Sequence, residues 1–258
     1  MQRGEFRLVS KENAPPNGTT CRGCPLRKRE RFREFTPAEL SFVDAFKTGE
    51  LAVAKGATIL SEGSPSPHLF TVLSGWGFRY KILEDGRRQI LNYLMPGDLV
   101  GLQGSLTGEM QHSVEALSPM TLCVFERSRL MELFRDHPEL AYDLTWIASR
   151  EEQMLDEHLL SVGRRTALER AAYLLAFLVR RARSVELLGS GKSIVPITQS
   201  HVADTLGLSV VHTNKTLRKF ARQQLVRWLD RGCEVVDEEA LLAIAKWPGD
   251  MGNERPFI

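Results

Sequence analysis

Cysteine is scarce, with four in 258 residues. Cys21, Cys24, Cys123 and Cys233 are too few to knit the disulfide framework on which small secreted domains depend. The 43% apolar content supplies a hydrophobic core without one. Long apolar runs are missing too. No stretch approaches the roughly 20 residues a membrane helix needs, and the opening MQRGEFRLVSKENAPPNG lacks a signal-peptide core. The expectation is a cytoplasmic chain with no membrane partner. Catalytic signatures are also absent: GxSxG, P-loop and HExxH patterns do not occur, so an enzyme is not expected. One catalytic alternative remains, a thiol oxidoreductase built on the CxxC of Cys21 and Cys24. Neighbouring cations suit a thiolate there, but no βαβ pattern surrounds the motif.

Net charge is small as well, at +2. That total hides segregation along the chain. Residues 1–33 carry a surplus of six positive charges, 34–162 a surplus of nine negative, 163–232 nine positive and 233–258 four negative. A strongly basic 70-residue stretch suits a polyphosphate partner, because each cation placed on a phosphate releases condensed counterions. The alternative is a merely solvated basic face.

The punctuation of the sequence divides the chain into five parts. Residues 1–35 form an arm carrying the CxxC, and Pro15, Pro16, Asn17 and Gly18 mark its first 20 residues as mobile. Residues 36–136 open with a short helix near Thr36 and Pro37, then become short β-type runs cut by turns, as in a sandwich or barrel. KILEDGRRQIL, with Asp85 and Gly86 between alternating runs, is a hairpin signal. Residues 137–162 read as one long helix. There Leu144, Ala148, Glu151, Leu155, His158 and Val162 recur at spacings of four and three, the seam of a coiled-coil dimer. A helix packed on its own domain is the competing interpretation. Gly163 marks the joint to a basic module over 163–247, and 248–258 is a tail.

That module contains ITQSHVADTLGLSVVHTNKTLRKF, residues 197–220. A helix-turn-helix needs a small residue where its helices cross, a glycine in the turn, and apolar residues that lock the pair. Ala203, Gly207, and Val202 with Leu206 and Leu208 meet those needs. Thr198 caps the first helix, which opens with Gln199 and Ser200. Ser209 caps the second, which presents Val210, Val211, His212, Asn214 and Lys215 early and Arg218, Lys219 and Arg222 later. In such motifs the early residues of the second helix meet bases and the cations meet phosphates. Thr213 and Thr216 stand where aliphatic residues are usual, which leaves the packing to Leu217 and Phe220. LVRWLDRGCEVVD then adds a hairpin turning at Asp230–Gly232, the wing of a winged helix.

This order of parts resembles the Crp/Fnr family of bacterial transcription regulators. The motifs that carry the resemblance are PGDLVG at 96–101, GRRTALERAAYLL at 163–175 and the helix-turn-helix. It implies an α+β chain with a jelly-roll sensor barrel, a homodimer joined along the long helix, and a two-fold symmetric promoter as partner. RNA polymerase is a further partner if the protein activates. It also marks Gly97, Asp98, Gly101, Leu102, His112 and Ser113 as lining the effector pocket. In cyclic-nucleotide-binding members a glutamate holds the ribose where Leu102 stands, and an Arg-Ser pair holds the phosphate where His112 and Ser113 stand. Leucine accepts no hydroxyl proton and imidazole replaces a permanent bidentate cation, so cyclic AMP is not the expected effector. Glu157 and His158 occupy the helix positions that would meet its base. Fnr-like members hold an iron-sulfur cluster on three arm cysteines and one in the barrel. Here Cys21, Cys24 and Cys123 match three of them, while Glu30 or Phe32 stands near the missing fourth. The sequence leaves open a cluster, zinc, thiol redox sensing or no cofactor. The second helix carries valine at 211 and lysine at 215 where many relatives carry glutamate and arginine, which predicts a different half-site.

Overall fold

A computed structural model of the chain describes residues 6–10, 19–29, 32–188, 191 and 193–249. These residues fall into two units. The first comprises described residues up to 79 together with 94–151, and the second 80–93 with 152–249.

The strands between Phe6 and Glu126 form a jelly-roll-like pair of sheets. One sheet has the order β1 (Phe6–Ser10), β2 (Lys47–Val53), β9 (Met120–Glu126), β4 (His68–Ser74) and β7 (Leu99–Val100). The other has the order β3 (Thr58–Leu60), β8 (Ser113–Ala116), β5 (Gly77–Ile82) and β6 (Arg88–Leu94). Alternation along the strands sends one side of each sheet inward. Leu51, Val53, Leu60, Phe70, Val72, Leu94, Val100, Met110, Val114, Met120, Leu122 and Val124 meet there as a single apolar core. Ahead of the sheets lies α1 (Pro37–Phe46), started by a reciprocal Thr36–Glu39 capping box with Pro37 at its first turn. Two departures from the sequence expectations concern the sheet edge. Residues 6–10, assigned to a mobile arm, form β1, which pairs antiparallel with β2 from Phe6 opposite Val53 to Ser10 opposite Gly49. β2 itself carried no clear turn-bounded signal. Both strands owe their place to distant partners, since β2 is completed only by pairing with β9 some 70 residues away.

The long helix, α4 (Pro138–Arg164), follows α2 (Leu102–Thr107) and α3 (Leu130–Asp136). It runs unbroken through Gly163, the expected joint, and stops at Arg164. The break falls instead at Thr166, whose side chain and Glu169 form the capping box of α5 (Ala167–Ser184).

The second unit is built on α5. Its residues 171–179 are buried on every side, so the helix is a core element of the unit. Packed with it are α6 (Gln199–Leu206), α7 (Val210–Arg222) and α8 (Glu238–Ala245). A three-stranded sheet completes the unit, in the order β10 (Ser193–Val195), β12 (Gly232–Val235) and β11 (Val226–Leu229). The expected hairpin is β11–β12, and β10 is an additional strand on its inner edge. Gly232 sits at φ 139°, and a Cβ there would lie 2.1 Å from the Val195 carbonyl oxygen. Only glycine lets the wing close on β10.

Candidate nucleic-acid interface and cysteine site

Four local signals set the geometry of α6 and α7. Thr198 Oγ1 accepts from the His201 N–H at 3.2 Å, and His201 Nδ1 accepts from the Thr198 N–H at 3.1 Å. Gly207 takes the left-handed conformation, φ 64° and ψ 35°, that turns the chain between the helices. The Leu208 N–H donates to the Ala203 carbonyl at 3.1 Å, closing the turn, and Leu208 itself is half-buried. Ser209 Oγ accepts from the His212 N–H at 3.2 Å and starts α7. Val202, Ala203 and Leu206 face Leu217 and Phe220, all of them 2% exposed or less. Thr213 and Thr216 share that buried face. Thr216 satisfies its hydroxyl on the His212 carbonyl at 3.1 Å, which makes threonine acceptable in place of an aliphatic residue.

The opposite face of α7 is open. Val210 is 45% and Val211 67% exposed, and His212, Lys215, Arg218, Lys219 and Arg222 are exposed beside them. Two exposed valines at a helix N-terminus, followed by four cations, make an apolar tip on a basic stem. Thr198, Ser200 and Ser209 are exposed nearby. Gln199 and Asn214 are half-buried, and the Asn214 Oδ1 is turned inward. Sequence reasoning missed Arg231, exposed at the wing turn. It also missed a clasp on α6. From the β5–β6 hairpin, Arg88 pairs with Asp204 at 2.8 Å, Gln89 donates to the Thr205 carbonyl at 2.9 Å, and the Tyr93 hydroxyl meets Thr205 Oγ1 at 2.8 Å. No spacing along the chain signals contacts between residues more than 100 apart.

Of the six residues assigned to the effector pocket, three shape a turn. Gly97 and Gly101 sit at φ 88° and 98°, and the buried Asp98 carboxylate accepts from the Met95 N–H at 2.7 Å. Leu102 opens α2. His112 is 4% exposed, and Ser113 Oγ accepts from the Glu62 N–H at 3.0 Å. This corner of the barrel offers neither a carboxylate at 102 nor a guanidinium at 112.

Cys21, Cys24 and Cys123 lie in one electrostatic neighbourhood, with Cys24 and Cys123 acting on Cys21, Cys24 acting on Cys123, and all three sensing Lys47. Burial pushes the Cys21 and Cys123 thiols up to about 12, although the Lys47 ammonium pulls both down, and burial raises Cys24 as well. Lys47 is 5% exposed and donates to the Thr19 carbonyl at 2.6 Å and to Glu50 Oε1 at 2.7 Å. Phe32 is buried at 5% and offers no donor atom, and Glu30 lies outside the described residues. Among the described residues no three His, Cys, Asp or Glu side chains converge as metal ligands. The residues present do not fit a metal centre. Cys233 is buried within the wing, away from this group in the chain, with its thiol likewise raised to about 12 by burial.

Comparison with known proteins agrees with this layout. Residues 50–137 match the cyclic nucleotide-binding domain, and residues 169–244 match the Crp-like helix-turn-helix domain. The nitrogen fixation regulation protein FixK of Bradyrhizobium diazoefficiens is 30% identical over 239 residues, covering 89% of this chain and 95% of the relative. The chain belongs to the Crp/Fnr family. Within that family it is also similar to the transcriptional activator protein FnrL of Cereibacter sphaeroides, 28% identical over 80% of this chain and 83% of the relative. The solved structure of FixK2 from Bradyrhizobium japonicum superposes with a TM-score of 0.67 at 27% identity, covering 76% of this chain and 96% of that one. As a Crp/Fnr member the chain is a DNA-binding transcription regulator rather than an enzyme. No described helix is long and apolar enough to cross a membrane.

Proposed function

We infer that this regulator works as a homodimer that sets α7 of each subunit into the major groove of a two-fold symmetric promoter site. The observation that carries this is the open face of α7, where exposed Val210 and Val211 lead four exposed cations. Valine offers a methyl surface to thymine, and Lys215 offers a donor to guanine O6 or N7. Arg218, Lys219 and Arg222 hold phosphates, as does Arg231 on the wing. Lys215→Ala is expected to weaken binding to the selected site by about 1–3 kcal/mol while leaving random DNA nearly unaffected. Gel shifts on both DNAs at fixed salt test this, and an equal loss on the two would reduce Lys215 to a phosphate contact. Working on promoter DNA places the protein in the cytoplasm. Relatives named as transcriptional activators support activation, with RNA polymerase as the second partner.

Its effector is not cyclic AMP. With Leu102 and His112 at the two recognition positions, the barrel keeps the fold of the cyclic nucleotide-binding domain without the groups that hold ribose and phosphate. Titration calorimetry with cyclic AMP is expected to show no binding at millimolar ligand. Micromolar affinity would overturn that reading.

A further inference from the structure

The arm is fastened at two points by charged side chains of the first unit, one buried and one half-buried. At the first point Lys47 is the hub. Its ammonium donates to the Thr19 carbonyl at 2.6 Å and to Glu50 Oε1 at 2.7 Å. One buried cation thus joins an acceptor from the arm to an acceptor from β2. The same Glu50 oxygen accepts from the Thr19 N–H at 3.2 Å, and the Cys21 N–H donates to Asp44 of α1 at 3.1 Å. Glu50 stands opposite Cys123 in the β2–β9 register, so the acceptors are fixed by the sheet rather than by loops.

At the second point Arg33 leaves the arm and bridges two carboxylates. It reaches Glu39 of α1 at 2.8 Å and Asp143 of α4 through Nε at 3.1 Å, with a further ion pair from Nη2 to Asp143. Between the two points Cys24, Leu26 and Phe32 are at most 7% exposed, so the arm is packed as well as tied.

We propose that the arm is a metal-free strap in which the Lys47 ammonium joins arm to barrel where a metal would have done so, and Arg33 closes the other end onto α4. The argument is one of donors and acceptors. A metal would link arm and barrel by collecting thiolates from both. Here one lysine links them by collecting a carbonyl of the arm and a carboxylate of β2. It needs no iron, sulfide or oxidation state to do so. The strap couples the start of the long helix to the sheet edge permanently, so DNA binding governed through it does not respond to oxygen. Cys21, Cys24 and Cys123 are packing residues of the strap, and their thiols are not its chemistry.

The test uses the full chain. Lys47→Met keeps the apolar stem and removes all three donors. Glu50→Gln keeps the fold of β2 and removes only the charge that Lys47 and Thr19 share. Hydrogen exchange followed by mass spectrometry is expected to show residues 19–24 exchanging about tenfold or more faster in Lys47→Met, the factor matched by losing one charge-assisted hydrogen bond. A smaller increase is expected in Glu50→Gln, with the strands β4 and β9 unchanged in both. The wild-type protein, incubated without oxygen with ferrous iron and sulfide, is expected to bind neither in stoichiometric amount. Stoichiometric iron and sulfide with a visible absorption band would overturn the proposal, as would unchanged exchange of residues 19–24 in both variants. If Lys47→Met does not fold, Glu50→Gln and the iron incubation still decide it.

Discussion

Phe220→Ala is expected to destabilise the DNA-binding unit by about 3–5 kcal/mol, the cost of emptying a large aromatic site in a core that relaxes only in part. Phe220 is 0% exposed at the end of α7, and it shares its face with Leu217 and with Val202 and Leu206 of α6. Its ring fastens the helix that meets DNA to the helix that positions it. Domain stabilities are about 5–15 kcal/mol in total, so the variant loses a large part of its reserve. Urea titration read by Trp228, half-buried on the wing, should show the second unit unfolding at lower denaturant while the barrel transition stays in place. Gel shifts at 37 °C should show DNA binding falling with the folded fraction. A loss under about 1 kcal/mol would mean that neighbours collapse into the space and that α7 is held elsewhere.

How legible was this molecule in its sequence? The helix-turn-helix could be read in place, because each of its parts is signalled within a few residues: Thr198, Ala203, Gly207 and Ser209 hold the positions the spacing assigned them. The β5–β6 hairpin was legible for the same reason. Elements whose stability comes from distant partners were not. β1 and β10 are short strands that exist by pairing with β2 and β12, and no periodicity of their own announces them. The cysteines show the limit most clearly. Their spacing left a cluster, zinc, thiol redox sensing and no cofactor open, and it gave no sign of Lys47, 23 positions beyond Cys24, whose buried ammonium meets the Thr19 carbonyl and Glu50. Gly163 misled in the other direction, since a single glycine costs a helix only about 1 kcal/mol and α4 absorbs it.

The long helix yields the second large expectation: Leu159→Asp should turn the protein into a monomer at micromolar concentration. Seven-residue spacing gives two adjacent faces of α4 as a seam, and burial within one chain separates them. Leu144 is 2% exposed, Glu151 pairs with Arg79 at 2.8 Å, and His158 meets the Tyr173 hydroxyl at 2.8 Å and packs on Phe177 at 4.8 Å. Those three expected seam residues are engaged within their own chain. One position further on, Thr145, Ala148, Glu152, Leu155, Leu159 and Val162 repeat the same spacing and are exposed or half-exposed, with Leu159 open at 73%. Of the expected seam, Ala148, Leu155 and Val162 are open enough to meet a second subunit, and Thr145, Glu152 and Leu159 lie open on the same face. A leucine moved from water into a dimer seam contributes about 1.5–3 kcal/mol, and two-fold symmetry counts it twice. Aspartate at 159 removes both contributions and sets two like charges against each other near the axis. A lone subunit then meets one half-site with half the phosphate contacts. Its affinity for a symmetric promoter should fall by about 100-fold or more, and the slope of log affinity against log salt should drop to about half. Analytical ultracentrifugation with salt-dependent gel shifts reads both, and Leu83→Asp, on the exposed β5–β6 turn, serves as the control that stays dimeric. A dimeric Leu159→Asp protein with an unchanged salt slope would place the dimer contact off this face of α4.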